Sequence, residues 1–197
     1  MKKILVAVAA AFCMAACSGG GSAPTRIGKK EFRPVAIDDV RESLVREIEK
    51  GFLLTAGNDS LFNTMTAGWG TIGHLWTRDV VVVFVRPQRY TFSFLEREKY
   101  FTLSFLSSEY NDILQMCGVL SGRNTNKIQE TGLLPIHLNN GAVTFKQAYR
   151  VVVCKKLYNA SFIDPKAFVD PNIVNDIYPN KDFHHMFVGE IVDVLEK

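Results

Sequence analysis

The chain has 197 residues, 23 Lys plus Arg against 20 Asp plus Glu, and a formal net charge of +3. Its 47% apolar and 22% charged content is ordinary globular usage, which excludes a disordered, collagen-like or coiled-coil chain. The small charge argues against a nucleic-acid partner, four cysteines are too few for a disulfide scaffold, and no apolar run reaches the roughly 20 residues of a membrane-spanning helix.

The N-terminus reads as an export signal. Lys2 and Lys3 precede a short apolar run, Ile4 to Phe12, and Met14-Ala15-Ala16 places small residues before Cys17. That layout is a secretory signal peptide. The small pair ahead of Cys17 resembles a bacterial lipobox, in which cleavage leaves the cysteine as the lipidated first residue. Residues 1–16 are then signal peptide. Residues 17–34 are the lipid-anchor cysteine and a Gly/Ser-rich flexible linker. Residues 35–197 form the folded domain, which is nearly neutral once Lys2 and Lys3 are gone. The expected location is the bacterial cell envelope, lipid-anchored on the extracytoplasmic, periplasmic side. Cys117 and Cys154 remain in the domain, either paired, as export permits, or as two buried thiols in apolar surroundings.

Asp38 and Asp39 followed by Val40, Leu44, Val45 and Ile48 predict an amphipathic helix that Gly51 ends. Phe52 to Ala56 is a strand, Gly57-Asn58-Asp59 a turn, and Phe62 to Trp69 the returning strand. Val80 to Val85 is a buried strand that stops at Pro87. A short helix over Tyr90 to Glu98 and a strand over Tyr100 to Phe105 follow. Ser107 or Ser108 caps a helix through Met116, and Ser121 to Lys127 is a polar loop opening a helical turn. Leu138 to Ala142 is a hairpin turn, after which Val143 to Tyr158 is long strand material. Residues 162–183 carry three prolines and form an excursion with short helices, and His185 to Leu195 is the last strand. This order predicts a mainly β (α+β) domain: a closed or partly closed antiparallel barrel with short helical inserts.

The usual catalytic signatures are missing: no Gly-rich dinucleotide loop, no HExxH, no GxSxG. No histidine has metal-ligand spacing, so no metal site is expected. Three segments instead combine small polar groups, cations and glycines near strand ends. They are Asn63-Thr64-Met65-Thr66-Ala67 with Trp69, Arg86-Pro87-Gln88-Arg89-Tyr90-Thr91, and Ser121-Gly122-Arg123 with Lys127. Charge next to close hydrogen-bond donors is what a phosphate requires.

Taken in order with Tyr100 to Phe105, Tyr178-Pro179-Asn180-Lys181-Asp182-x-His184 and Phe187 to Val192, these segments resemble the flavin reductase-like, flavoredoxin-type FMN-binding split barrels over about residues 45–195. The resemblance implies a six-stranded antiparallel split barrel, a homodimer, and FMN near the dimer interface. Asn63 to Ala67 would offer donors to the isoalloxazine edge, where reduction places negative charge. Met65 and Trp69 would pack against the cofactor, Trp69 equally suiting the core. Arg86, Arg89, Tyr90 and Thr91 would surround the ribityl and phosphate end, and Ser121, Gly122, Arg123 and Lys127 the phosphate. Arg123 and Lys127 are favoured over Arg89, which equally suits a surface cap. Ser104 and Phe105 would lie below the flavin, with the core the favoured place for Phe105. His184 would orient a hydride donor or acceptor, or be structural, with His185 turned the other way.

The implied activity is an oxidoreductase passing hydride or electrons through bound FMN, the cofactor carrying the redox chemistry. Relatives draw on NAD(P)H; an exported protein would need a membrane redox partner instead. The alternative is a non-enzymatic extracytoplasmic flavin-binding electron carrier or ligand-binding module on the same barrel.

Overall fold

The structure is a computed structural model, and it describes residues 31–197. The signal peptide, Cys17 and the linker up to residue 30 lie outside the described residues. Helix α1, Ile37–Lys50, carries Asp38 and Asp39 in its first turn and ends at Gly51, whose φ of 91° is open to glycine at little steric cost. Its buried face is Val40, Leu44 and Ile48. Val45, grouped with them by spacing, is 57% exposed, because a residue one position past Leu44 lies about 100° around the helix. The end of the predicted linker is ordered and packed. Arg33–Pro34 (β1) pairs with the C-terminal strand, and Phe32 is buried.

Strands β2 (Phe52–Gly57) and β3 (Phe62–Ala67) form the expected hairpin, with Phe52 opposite Ala67. Asn58 turns it by accepting the N–H groups of Ser60 and Leu61. The second strand stops two residues short of Trp69. There follows a hairpin absent from the sequence reading: β4 (Gly70–Leu75) and β5 (Arg78–Val85), joined at Trp76 and Thr77 with φ of 53° and 58°. Two consecutive positive φ values mark the tight hairpin turn that usually carries Asn-Gly. Trp-Thr gives no such signal.

Helix α2 (Tyr90–Arg97), strand β6 (Tyr100–Leu106) and helix α3 (Asn111–Val119) come next, the last preceded by a short 3-10 turn over Ser108–Tyr110. Helix α4 (Lys127–Thr131) is capped by the Asn126 side chain. The predicted long strand from Val143 is broken. Strand β7 (Pro135–His137) pairs with β8 (Val143–Phe145) in a separate ribbon around the Leu138–Ala142 turn. Strand β9 (Ala148–Phe162) starts only after Gln147, whose side chain bonds Gly132 and Leu134. Helix α5 (Pro171–Ile177) lies in the proline-rich excursion, and β10 (His185–Glu196) closes the fold.

The strand path runs β3-β2-β6-β9-β10-β5-β4, every pairing antiparallel. With β1, which pairs with β10 off this path, the sheet of the described residues has eight strands. Strands β3 and β4 occupy opposite ends of this path, yet only Gly68 and Trp69 join them. Such a link reaches roughly 10 Å, so the sheet must roll until its two edges meet. Phe84 donates its N–H to the Trp69 carbonyl at 3.3 Å, extending the β4–β5 pairing by one residue into that link. The result is a split barrel with its seam between β3 and β4. Apolar residues fill it, among them Leu54, Val81, Val83, Phe101, Leu103, Val152 and Phe187, under the buried faces of α1 and α2. Cys117 and Cys154 are both buried and free. No helix of the described residues is long and apolar enough to cross a membrane.

One charged cluster binds α1 to the barrel. Arg150 on β9 donates to Glu47 and Ser43 on α1 and to Glu196 on β10, and its side chain is 12% exposed. Removing the cation would leave two half-buried carboxylates facing each other. Arg150→Met should lower unfolding free energy by about 2–4 kcal/mol, with Arg150→Lys restoring part of it, as read from urea unfolding. A loss under about 0.5 kcal/mol would show the cluster to be a surface ornament.

Candidate functional site

Among the described residues, the seam leaves the outer edge of β3 without a strand partner. Two side chains cover part of it. Thr66 donates its hydroxyl to the Leu114 carbonyl on α3, and Lys127 Nζ donates to the carbonyls of Thr64 at 2.9 Å and Cys117 at 2.8 Å. Blocking an exposed strand edge with a lysine is an ordinary defence against further pairing. What remains is a groove. Its walls are β3, the Arg86–Arg89 turn after β5, the start of α2, and the Ser121–Asn126 loop.

The central cavity is about 220 Å³ and is lined by Asn63, Met65, Arg86, Arg89, Tyr90, Gly122 and Lys127 among others. A cavity of about 120 Å³ continues it past Met65, Arg86 and Arg89 to Trp69, Phe84 and His184. A third, of about 410 Å³, continues it past Asn63, Tyr90, Gly122 and Lys127 to Asn124, Thr125 and Asn126. The three share walls and form one trough.

Most of the sequence-predicted residues come together here. Asn63 is buried and donates to Thr91 Oγ1 at 2.7 Å. Thr91 thus aims the amide, although it also lines the cavity. Gly122 packs against that amide: a Cβ there would fall 2.0 Å from Asn63 Oδ1, so only glycine fits. The Thr64 side chain turns inward to Thr55 at 2.9 Å, so Thr64 meets the trough through its backbone. Met65, Thr66, Ala67 and Trp69 line the His184 end. Trp69 is 46% exposed and is therefore not a core residue.

Three readings need correction. Ser104 is outside the trough, and Phe105 takes its favoured place in the core. Ser104 shares a 2.8 Å hydrogen bond with Thr144, and Phe105 packs its ring 5.7 Å from Phe52. They sit on β6, two strands in from the seam, where both faces are covered. Arg89 is an exposed residue at the N-cap position of α2, and it faces the trough as well. It lines both the central cavity and the His184 end and donates to the Gly118 carbonyl at 2.9 Å. Lys127 is first a strut, only 6% exposed. Burial lowers its pKa, opposed by the Cys117 thiol; two of its three N–H donors are spent on carbonyls.

The charges are unevenly compensated. Arg86 is paired with Asp182, which also accepts from Gln88 at 2.7 Å. Arg123 donates to the Gln88 carbonyl at 2.7 Å and lies 5.2 Å over the Tyr90 ring. Among the described residues no carboxylate pairs with Arg89, Arg123 or Lys127; their partners are backbone carbonyls. Solvation of a cation by dipoles leaves its charge in place. The wall near Lys127 therefore presents positive charge seeking an anion.

The opposite end holds a neutral imidazole. His184 is 7% exposed, its ring 4.7 Å from Trp69, and it shares a 3.0 Å hydrogen bond through Nδ1 with the Tyr178 hydroxyl. Burial first, and then the nearby Arg86 charge, push its pKa down to about 4. His185 turns the other way, onto Phe92 at 4.7 Å, as alternation requires. Gln88, Phe84, Val119, Leu120 and Tyr178 were not singled out from sequence. Gln88 and Tyr178 stand inside the motifs that were, and Phe84 ends a run that reads only as buried strand. Among the described residues no three metal-ligating side chains gather.

The family model described as "Flavin reductase like domain" matches residues 49–197. Comparison with curated proteins finds no match. Several solved structures share the fold. Flavoredoxin of Desulfovibrio vulgaris (Miyazaki F) is 23% identical, with a TM-score of 0.58 covering 75% of this chain and 69% of that one. The FMN-binding domain of a flavin reductase-like enzyme from Shewanella baltica is 15% identical, with a TM-score of 0.62 over 84% and 76%. The NADH:FAD oxidoreductase of Streptomyces globisporus, solved with NAD and FAD fragments, is 14% identical, with a TM-score of 0.55 over 84% and 87%.

His184 makes stability depend on pH. Its folded pKa of about 4 lies below the unfolded value of about 6.5. As pH falls below 6.5 the unfolded chain takes up a proton that the folded chain refuses. Stability is then lost down to about pH 4 and levels off below. Relative to His184→Asn, the wild type should lose on the order of 2–3 kcal/mol across that window, read by urea unfolding at stepped pH. Parallel curves would mean that the ring titrates freely in the fold.

Proposed function

The chain belongs to the flavin reductase-like family, and we propose that its trough holds FMN and that the protein is an oxidoreductase of that kind. The observation that carries this reading is the polarity of the trough: Arg123 and Lys127 without carboxylates at one end, Arg89 and a backbone edge along the middle, and an aromatic end with a neutral imidazole. A phosphate monoester joined to a flat, weakly polar ring system has the same polarity.

The residues present fit the cofactor. Arg123, Arg89 and the remaining N–H of Lys127 would meet the phosphate, with Ser121 beside them. Gly122 keeps the wall low enough for close approach, and Asn63 is preorganised by Thr91. Met65, Ala67 and Trp69 offer apolar surface to the ring. When bound, FMN supplies hydride and electron transfer. The protein binds and orients the cofactor, keeps preformed donors beside it, and holds a neutral imidazole at the far end. No side chain needs to act as a strong base, in keeping with the neutral His184.

The electron donor follows from location. With residues 1–16 as a signal and Cys17 lipidated, the domain faces the periplasm and takes electrons from a membrane redox partner. Without export, NAD(P)H serves. The half-exposed Trp69 beside an open trough suits a homodimer in which the second copy covers the cofactor. Mass spectrometry of purified protein should find a lipid on Cys17; an intact Lys2 or Lys3 in the mature chain would refute export.

Two measurements test the function. Purified protein should be yellow or take up added FMN stoichiometrically; a colourless protein that binds none overturns the reading. Arg89→Gln with Arg123→Gln should weaken FMN by about a hundredfold, since each charge-assisted bond contributes about 1.5 kcal/mol or more, and riboflavin by no more than a few-fold. Equal losses for both ligands would place the phosphate elsewhere. A flavin-loaded protein that oxidises neither NADH nor NADPH but reoxidises with a membrane donor would mark an electron carrier.

A further inference from the structure

We infer that Tyr178 is a positioning residue that fixes His184 as an Nε2–H hydrogen-bond donor facing the trough. The inference rests on the trough being a flavin site only for what the donor meets. The fixing itself is a property of the chain.

Tyr178 closes helix α5 and is nearly fully buried. Its ring is clamped on several sides. Phe183 lies 4.7 Å away, Phe168 6.2 Å, and the Arg86 guanidinium 5.6 Å over the ring. Arg86 is itself held by Asp182 and by the Ile177 carbonyl at 3.0 Å. The backbone of His184 is fixed as well, its carbonyl accepting the Ile163 N–H at 2.9 Å. The 3.0 Å link from hydroxyl to Nδ1 therefore joins two groups with little freedom to turn.

The direction of that bond follows from counting protons. Burial keeps the imidazole neutral and the phenol protonated, so each partner has one proton. If Nδ1–H donated to the phenol oxygen, the phenol proton would have no acceptor among the described residues. With the phenol donating, the shared bond is made and the one group left over, on the far side of the ring, faces the trough that His184 lines. The ring's single proton then sits on Nε2, which has no protein partner among the described residues.

A fixed Nε2–H donor has a chemical consequence. His184 offers a hydrogen bond to an oxygen acceptor, such as a ring carbonyl or an amide carbonyl, and does not take a proton through that nitrogen. It selects a bound group with a carbonyl oxygen at the Trp69 end and disfavours a donor N–H there.

The experiment is long-range ¹H–¹⁵N correlation on histidine-labelled protein at neutral pH, with and without FMN, His184→Asn assigning the signals among the four histidines. The wild type should show the Nε2–H tautomer, and Y178F a mixture of tautomers. An Nδ1–H tautomer in the wild type, or an unchanged tautomer in folded Y178F, overturns the inference. Should Y178F not fold, 3-fluorotyrosine in place of tyrosine keeps the shape and strengthens the phenol as donor. The Nδ1 resonance of His184 should then move, and a stationary resonance overturns the inference. All these readings are taken first on flavin-free protein, so failure of FMN to bind would refute the cofactor and leave the tautomer result standing.

Discussion

Two residues decide the shape of this protein. Gly68 and Trp69 join strands that stand at opposite ends of a seven-strand path, and a link of that length forces the sheet to close on itself. Closure is incomplete in hydrogen bonding, and the unpaired edge of β3 becomes the wall of the trough. An open edge is ordinarily an aggregation hazard. Here α3 covers part of it through Thr66, and Lys127 fills another part. The rest is backbone donors and acceptors available to a ligand. Site and seam are one feature, which is why the candidate ligand contacts come from the ends of β3 and β5 and not from the barrel's interior strands.

The same arrangement explains how four cations are tolerated along one trough. A buried or crowded cation needs a carboxylate or a set of dipoles. Arg86 has the carboxylate of Asp182, and is thereby available to stack on Tyr178. Arg89, Arg123 and Lys127 have only carbonyls, from Gly118, Gln88, Thr64 and Cys117. Carbonyls hold the side chains in place without cancelling their charge. The difference separates a structural cation from three that keep their field for a ligand.

Much of the fold was legible because its signals were local. Gly51 after an amphipathic helix, the Val80 to Val85 run, and Gly141 in the Leu138–Ala142 turn each state their conformation directly. The misses arose where the cause was remote or atypical. Trp76 and Thr77 adopt positive φ with no glycine or asparagine to announce it, so β4 was missed. Strand β9 is cut from β8 by Gln147, whose partners lie 13 and 15 positions away. Within the site, the residue types were legible and their duties were not. Lys127 reads as a phosphate ligand because lysines are usually exposed; its burial under the β3 edge is a tertiary fact. Ser104 and Phe105 belong to a segment that shares in the family resemblance, but β6 lies inside the sheet, away from the seam.

The two ends of the trough impose an orientation on whatever lies in it. Near Lys127 the field is positive and the wall is low at Gly122. Near His184 one adjacent cation, Arg86, is neutralised by Asp182 and the other, Arg89, reaches toward the centre of the trough, the imidazole is uncharged, and Trp69 and Met65 supply apolar surface. An amphiphilic anion placed backwards would lose its phosphate contacts and bury charge against a neutral aromatic wall, a double cost. Placed forwards it satisfies both ends at once. Specificity for direction thus needs no single dominant contact. It follows from one carboxylate, Asp182, standing at one end of the trough and none at the other among the described residues.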